Sequence, residues 1–198
     1  MKKKANNNYS IIRKIVYFIL FSLIIGAFIF LSNKYENLSK SKKIDFNYYY
    51  KNIETDHFQI INANNLISYT KEGRHLIFIG NSSSKWSIKY AELLTEILKE
   101  MNLDAGYYDI KNDKTQKNSN YYAVLEVLKN HLITTDSSNN NLLAPSFYIF
   151  TDGEIKYYNI DTVATKNSMT VKEYWKISRE EEFIKEIKTN IKRYYLNN

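Results

Sequence analysis

Two serines that lie three residues apart, Ser84 and Ser87, follow the apolar run "HLIFIG" in the segment "GNSSSKWSIKY". A turn that joins a strand to a helix is a common place for chemistry in α/β proteins. The first turn of such a helix presents free backbone N–H groups and the positive end of the helix dipole. The spacing of the serines is that of a C-x-x-C redox motif without its sulfur atoms. The structural alternative is that a serine hydroxyl caps the helix.

Other catalytic or metal-binding patterns find little support in the sequence. Ser82 and Lys85 have the S-x-x-K spacing of serine acyl-enzymes, but the partner motifs S-D-N and K-T-G are absent. The three histidines, His57, His75 and His131, lie in separate predicted elements without metal-ligand spacing. The scattered glycines form no phosphate-binding loop. We therefore predict no catalytic residue, no bound metal and no small-molecule cofactor.

From His57 onward the sequence alternates between strand and helix patterns. The predicted strands are "HFQIIN", "HLIFIG", "DAGYYDI" and the two arms of "APSFYIFTDGEIKYYNI", which turn at Asp152-Gly153. The predicted helices are "NANNLISYTKEG", capped by Asn62 or Asn64, then "WSIKYAELLTEILKEMN", "NYYAVLEVLKNHL" and "REEEFIKEIKTNIKRYYL". Ser178 and Glu181 form a predicted capping box at the last helix. This order predicts an α/β fold with a mixed central sheet, parallel at first, and helices on both faces.

The order of these elements and two local motifs resemble the thioredoxin fold. In that superfamily a C-x-x-C pair begins the long helix that follows a central strand, where Ser84 and Ser87 stand here. The superfamily's cis-proline, which precedes an antiparallel hairpin, corresponds to Pro145, the only proline in the chain. An ordinary trans proline before a strand is the alternative.

Within the superfamily, "FIGNSSSKWSIKY" is most similar to the thioredoxin-like bacteriocin transport accessory proteins, whose motif has the form Y-x-G-R-x-x-C-P-Y-C-x-K-F. The residues that fit this motif are Gly80, Trp86, Lys89 and Tyr90. Serines replace both cysteines, and Lys85 replaces the proline between them. The resemblance covers about residues 55 to 195 and implies a thioredoxin-like domain.

The missing sulfur determines the predicted activity. Thiol–disulfide exchange needs a thiolate nucleophile and a second sulfur, and the chain contains no cysteine. We therefore expect no redox catalysis. The resemblance implies instead a groove that binds an extended polypeptide through main-chain hydrogen bonds. By resemblance, this groove is lined by Ser84, Lys85, Trp86, Ser87, Ala144 and Pro145. Trp86 is either an exposed anchor for the partner or a helix residue packed on the domain.

The N-terminal region predicts a membrane anchor. Residues 15–31, "IVYFILFSLIIGAFIFL", carry no charge and approach the length that spans a bilayer. No small-residue cleavage site follows, so we predict an uncleaved signal anchor, with a cleaved signal peptide as the alternative. Residues 1–14 form a predicted basic cytoplasmic tail, residues 32–54 a polar stalk and residues 55–198 the thioredoxin-like domain. The basic tail predicts that the N-terminus lies inside and the domain outside.

Charge distribution excludes one class of partner. Five of the seven net positive charges lie in the first 31 residues, and elsewhere acidic and basic residues are interspersed. This pattern is typical of a solvated surface, so we predict no nucleic-acid binding.

The predicted function is that of a single-pass cell-membrane protein that is redox-inactive and binds a polypeptide partner, as an accessory to export or assembly of a secreted or surface protein. The alternatives are an oxidoreductase whose cysteines were changed to serine, and a purely structural subunit of a membrane complex.

Overall fold

The computed structural model describes residues 17, 21, 45–131, 142, 144–160 and 169–197. The predictions for the basic tail, for most of the anchor and for residues 32–44 of the stalk therefore lie outside the described residues. Tyr17 and Phe21, the two described residues of the predicted anchor, are helical and exposed. Among the described residues, no helix has the length and apolar character needed to cross a membrane. The elements below belong to one compact unit, Ile44–Asn198.

Strands and helices alternate along this unit. The strands are β1 (Phe58–Ile60), β2 (Arg74–Gly80), β3 (Ala105–Asp109), β4 (Ser146–Thr151) and β5 (Glu154–Asn159). The helices are α1 (Phe46–Tyr49), α2 (Ala63–Tyr69), α3 (Lys85–Met101), α4 (Lys111–Gln116), α5 (Ser119–Leu128), α6 (Val171–Tyr174) and α7 (Ile177–Ile191). A 3₁₀ turn (Lys129–His131) follows α5, and a π-helical turn (Lys192–Leu196) follows α7.

The strands form one mixed sheet with the order β1-β3-β2-β4-β5. Strands β1, β3 and β2 are parallel, whereas β4 is antiparallel to both β2 and β5. This mixed sheet with its covering helices is consistent with the thioredoxin-like fold that the sequence predicts. The predicted change from parallel to antiparallel pairing is confirmed.

The central strand β2 and its neighbour β4 are buried on both faces because helices cover each side of the sheet there. Side chains alternate between faces along a strand, so neighbouring residues of β2 enter different cores. Leu76 and Phe78 pack with α1, α3 and α7, whereas Ile77 and Ile79 pack with α2 and α5. The almost unbroken apolar run of β2 thus holds both helical layers and fixes the strand end that leads into α3.

Part of the predicted stalk belongs to the domain, in contrast to the boundary placed at residue 54. Phe46, Tyr50 and Ile53 are all at most 5% exposed. Phe46 stacks on Phe58 with a centroid distance of 4.3 Å. The sequence did not reveal this packing because α1 has only four residues, too few to show a helical period.

Two local predictions about the turns are confirmed. Asn62 caps α2 in a reciprocal capping box with Asn65. The hairpin between β4 and β5 turns at Asp152 and Gly153, whose φ angles are +50° and +83°. Glycine tolerates such angles without steric cost, which explains the Asp-Gly pair at this turn.

The predicted capping box at Ser178 and Glu181 is wrong. Helix α7 begins at Ile177 with Lys176 as its N-cap, so Ser178 lies inside the first turn. A capping box occurs earlier instead, where Thr170 and Glu173 cap the short helix α6. The chain begins a separate helical turn at Thr170, and the sequence analysis did not detect it.

Candidate functional site

The turn between β2 and α3 is the centre of the predicted site. Strand β2 ends at Gly80, and the Ser84 backbone N–H donates to the Asn81 carbonyl oxygen at 2.8 Å. The Asn81 side-chain oxygen accepts the Ser83 N–H at 3.0 Å. Ser84 is the N-cap of α3, yet its side chain makes no capping hydrogen bond. Its half-buried hydroxyl is therefore not used to hold the helix end.

Ser87 has a different environment from Ser84. It is completely buried, and its hydroxyl oxygen accepts the Asn81 backbone N–H at 3.0 Å. This bond holds the turn after β2 against the first turn of α3. A buried side chain cannot contact a partner, so the prediction that Ser87 lines an open groove is wrong. It is a structural residue of the turn.

Buried tyrosines from α1 and β3 lie beneath this turn. The Tyr107 hydroxyl donates to the Tyr50 hydroxyl oxygen at 3.0 Å. Burial raises the pKa of Tyr50, and hydrogen bonds from Tyr107 and Ser87 only partly oppose this. Burial also raises the pKa of Tyr107, so both hydroxyls stay protonated near neutral pH. Neither tyrosine can act as a base toward Ser87.

Gly80 makes this close packing possible. A Cβ atom at Gly80 would contact the Tyr50 hydroxyl and would lie 2.9 Å from the Tyr107 ring. Real Cβ atoms do not come so close to a neighbouring atom, so any side chain at this position would displace the tyrosines. The glycine of the family-like motif thus has a steric role here.

Lys85 and Trp86 form the accessible part of the first helical turn. Lys85 is exposed, whereas Trp86 is half-buried. The Trp86 ring packs edge-on against Tyr174 of α6, with a centroid distance of 5.7 Å and an interplanar angle of 75°. Trp86 is therefore a helix residue that packs on the domain, and only part of its indole remains available to a partner.

Ala144 and Pro145 lie at the same end of the sheet. The antiparallel pairing of β2 with β4 reaches Ile79 opposite Ser146, so the chain enters β4 where it leaves β2. The bond between Ala144 and Pro145 is cis. Ala144 is half-buried, but Pro145 is buried, so its side chain does not line an open surface as predicted. The predicted site thus keeps Ser84, Lys85, Trp86 and Ala144 at least partly exposed.

A groove that the sequence analysis did not predict begins at Lys85. It has a volume of about 410 Å³ and lies between α3, α6 and α7. Its lining consists of Lys85, Ile88, Lys89, Glu92, Val171, Lys172, Trp175 and Glu180. Lys85 is its only residue that was predicted as a site residue. The helical period of α3 indicated an exposed face, but the partner wall depends on α6, which the sequence analysis missed.

Salt bridges join two walls of this groove. The Lys89 ammonium lies 2.8 Å from a Glu180 carboxylate oxygen and 3.7 Å from one of Glu92. Burial lowers the pKa of Lys89, but its contact with Glu180, aided by Glu92 and Glu96, outweighs burial and raises this pKa. Lys89 is therefore charged, and its charge is matched by acids within the groove.

His57 and His75, the two histidines whose side chains the structure describes, make ordinary contacts. His57 Nδ1 lies 3.2 Å from an Asp104 oxygen, and His75 stacks on Tyr69 with a centroid distance of 4.2 Å. In the parts of the chain that the structure describes, no group of three or more His, Cys, Asp or Glu residues could hold a metal ion.

Comparisons with known proteins extend to fold-level similarity only. No protein-family model matches the chain, and no curated protein matches it significantly. One similar solved structure is described as a candidate oxidoreductase with a thioredoxin fold; it has 10% identity and a TM-score of 0.39, and the match covers 52% of this chain and 81% of that protein. Another is thioredoxin O2 from Arabidopsis thaliana in the oxidized state, with 9% identity and a TM-score of 0.41. This match covers 70% of this chain and 95% of that protein.

Proposed function

We propose that this chain is a redox-inactive thioredoxin-like module that binds a polypeptide partner outside the cell membrane, to which residues 15–31 anchor it. The observation that carries this proposal is the chemistry at the helix start. Serines occupy the positions of the redox pair, the chain has no cysteine, and Ser87 is buried in a structural hydrogen bond.

Nucleophilic catalysis by the serines has no support from their surroundings. An attacking serine needs a base within hydrogen-bonding reach. The Ser87 hydroxyl instead accepts a backbone N–H and adjoins tyrosines that retain their protons. The Ser84 hydroxyl makes no hydrogen bond with a described residue. A binding role therefore fits this turn better than a catalytic one.

The exposed end of the sheet supports polypeptide binding. Lys85, Trp86 and Ala144 are at least partly accessible where β2 ends and β4 begins. An extended peptide can bind beside this turn through main-chain hydrogen bonds, while side chains of the protein provide specificity. This mode of binding needs no sulfur. The proposed role is that of an accessory to export or assembly of a secreted or surface protein.

Residues 1–31 have the features of a membrane anchor. Their apolar run carries no charge and follows a basic segment. A signal anchor of this kind leaves the basic end in the cytoplasm and the following domain outside. Protease added to intact cells should then degrade the domain, and a domain that stays intact would contradict this orientation.

Site-specific crosslinking tests the binding role. The full-length chain in its native membrane would carry a photoreactive residue in place of Trp86. The control would carry it in place of Tyr122, which is 53% exposed on α5, at the opposite face of the sheet. We expect one discrete polypeptide to be captured from position 86, and its capture to be lost in the Lys85→Glu background. Capture from position 122 alone would instead support a structural subunit that uses its outer helices.

A redox assay tests the proposal that the chain is redox-inactive. The purified full-length chain should reduce insulin disulfides no faster than buffer with dithiothreitol. A rate above that background would overturn the assignment as redox-inactive. Reading codons 84 and 87 of the native gene would separately test whether the serines replaced cysteines by design.

A further inference from the structure

The groove between α3, α6 and α7 has an excess of unmatched positive charge. Three of its lining residues are lysines and two are glutamates. Both glutamates contact Lys89. Lys85 and Lys172 are exposed, and neither forms an ion pair with a residue that the structure describes. These two ammonium groups are therefore available to an anionic occupant.

The first turn of α3 strengthens this positive field. The helix has 17 residues and no acidic residue in its first turn, where Lys85 is the first helical residue. A lysine at this position opposes the helix dipole, whereas an acid would be favourable. The free N–H groups of the turn and the Lys85 ammonium attract the same kind of ligand.

The groove also has an apolar part. Ile88 and Val171 line it together with the indole of Trp175. Trp175 is 5% exposed, and its N–H has no acceptor among the described residues. Buried N–H groups normally have an acceptor, so this wall of the groove contains an unsatisfied donor.

We propose that this groove binds an extended polypeptide segment in which acidic residues flank an apolar residue. The acidic side chains pair with Lys85 and Lys172, and the apolar side chain packs on Ile88 and Val171. This inference rests on the proposed polypeptide-binding function and adds the chemistry of the partner. Lys85 lines the groove and also borders Trp86 in the helical turn that follows β2, so one extended segment can contact both residues.

Peptide binding to the full-length chain in detergent micelles provides the test. The probes are fluorescein-labelled decapeptides with the core Glu-Thr-Leu-Thr-Glu, because alternate side chains of an extended peptide lie on the same face. Each peptide is named below by its residues at these three alternate positions, so this one is Glu-Leu-Glu. The matched peptides carry Gln-Leu-Gln, Glu-Ser-Glu or Lys-Leu-Lys in the same neutral background. At low ionic strength we expect Glu-Leu-Glu to bind about tenfold more tightly than any of these, since each of them loses either two exposed ion pairs or the apolar contact. Added salt should reduce this difference.

Charge reversal identifies the residues that are responsible. The double variant Lys85→Glu/Lys172→Glu should lose about tenfold in affinity for Glu-Leu-Glu and should prefer Lys-Leu-Lys. Both substitutions place an acid in the first turn of a helix, which favours folding, so loss of binding would not result from unfolding. The control Lys71→Glu changes an exposed lysine that precedes β2, at the opposite end of that strand, and should bind like the wild type.

The proposal is overturned if no peptide binds, if Gln-Leu-Gln binds equally well, or if Lys71→Glu weakens binding as much as the double variant. The crosslinking experiment separates this failure from failure of the proposed function. If position 86 still captures a discrete polypeptide, only the acidic-apolar assignment is wrong. If it captures none and no peptide binds, the binding module itself is refuted.

Discussion

Ser84 and Ser87 are the same residue type in the same motif, but they have different physical roles. Ser84 is half-buried and its hydroxyl makes no capping bond. Ser87 is buried and accepts the N–H of Asn81, so it joins the turn after β2 to the helix. Ser87 therefore supports the local structure, while Ser84 remains near the surface.

Alanine substitution should separate these roles. Ser87→Ala leaves the Asn81 N–H without its acceptor, so we expect the free energy of unfolding to fall by about 1–3 kcal/mol. Ser84→Ala removes no hydrogen bond and should change it by less than about 0.5 kcal/mol. Urea unfolding of the full-length variants in mild detergent, followed by tryptophan fluorescence, would measure both values. Equal effects, or a larger effect at Ser84, would contradict the assignment.

The sequence predicted the location of this site better than the state of its residues. The position of Ser84 and Ser87 after β2 follows from hydrophobic patterning and was confirmed. Which serine is buried depends on how Asn81 folds back, a tertiary detail that has no local sequence signal. The same is true of Trp86, whose packing depends on Tyr174, a residue far along the chain.

At the scale of elements, the short helices account for most of what the sequence did not reveal. Helices α1 and α6 have four residues each. The long helix α3 and the apolar strand β2 show clear patterns, and both were predicted. A four-residue helix shows no period, and its stability comes from its contacts with the rest of the domain. Because α6 forms one wall of the groove, only the sides formed by α3 and α7 lay on helices that the sequence predicted.

The packing of α1 predicts that alanine substitutions at Phe46 and Tyr48 will affect stability differently. Phe46 is 1% exposed and contacts Phe58, Tyr50 and Tyr107, whereas Tyr48 is 72% exposed. Phe46→Ala should lower the free energy of unfolding by about 3–5 kcal/mol, because it leaves a cavity in the core. Tyr48→Ala should change it by less than about 0.5 kcal/mol. Urea unfolding measures both, and a small effect of Phe46→Ala would mean that this segment is a spacer after all.

At the scale of the whole molecule, the core contains several buried tyrosines. Burial raises the pKa of Tyr50 and of Tyr107, and it raises the pKa of Tyr148 to about 12. In the unfolded chain a tyrosine loses its proton near pH ~10. Between that pH and the native pKa, the folded state holds protons that the unfolded state has released. The domain should therefore lose stability as pH rises above ~10, and these groups have no effect at lower pH.

Alkaline titration should show this loss as a cooperative transition. Each of these three tyrosines lowers the free energy of unfolding by about 1.4 kcal/mol per pH unit above pH ~10. Together they lower it by about 4 kcal/mol per unit, and since a typical domain is stable by about 5–15 kcal/mol, unfolding is expected above pH ~11. Lys114, whose pKa burial lowers, opposes this change by at most one proton.

Absorbance of tyrosinate at about 295 nm should rise in two phases, first for exposed tyrosines and then together with the loss of circular dichroism. Tyr148→Phe should make the second phase less steep by about one proton. A single smooth titration that leaves the dichroism unchanged would show that these hydroxyls ionise in the folded domain and are not held neutral by the core.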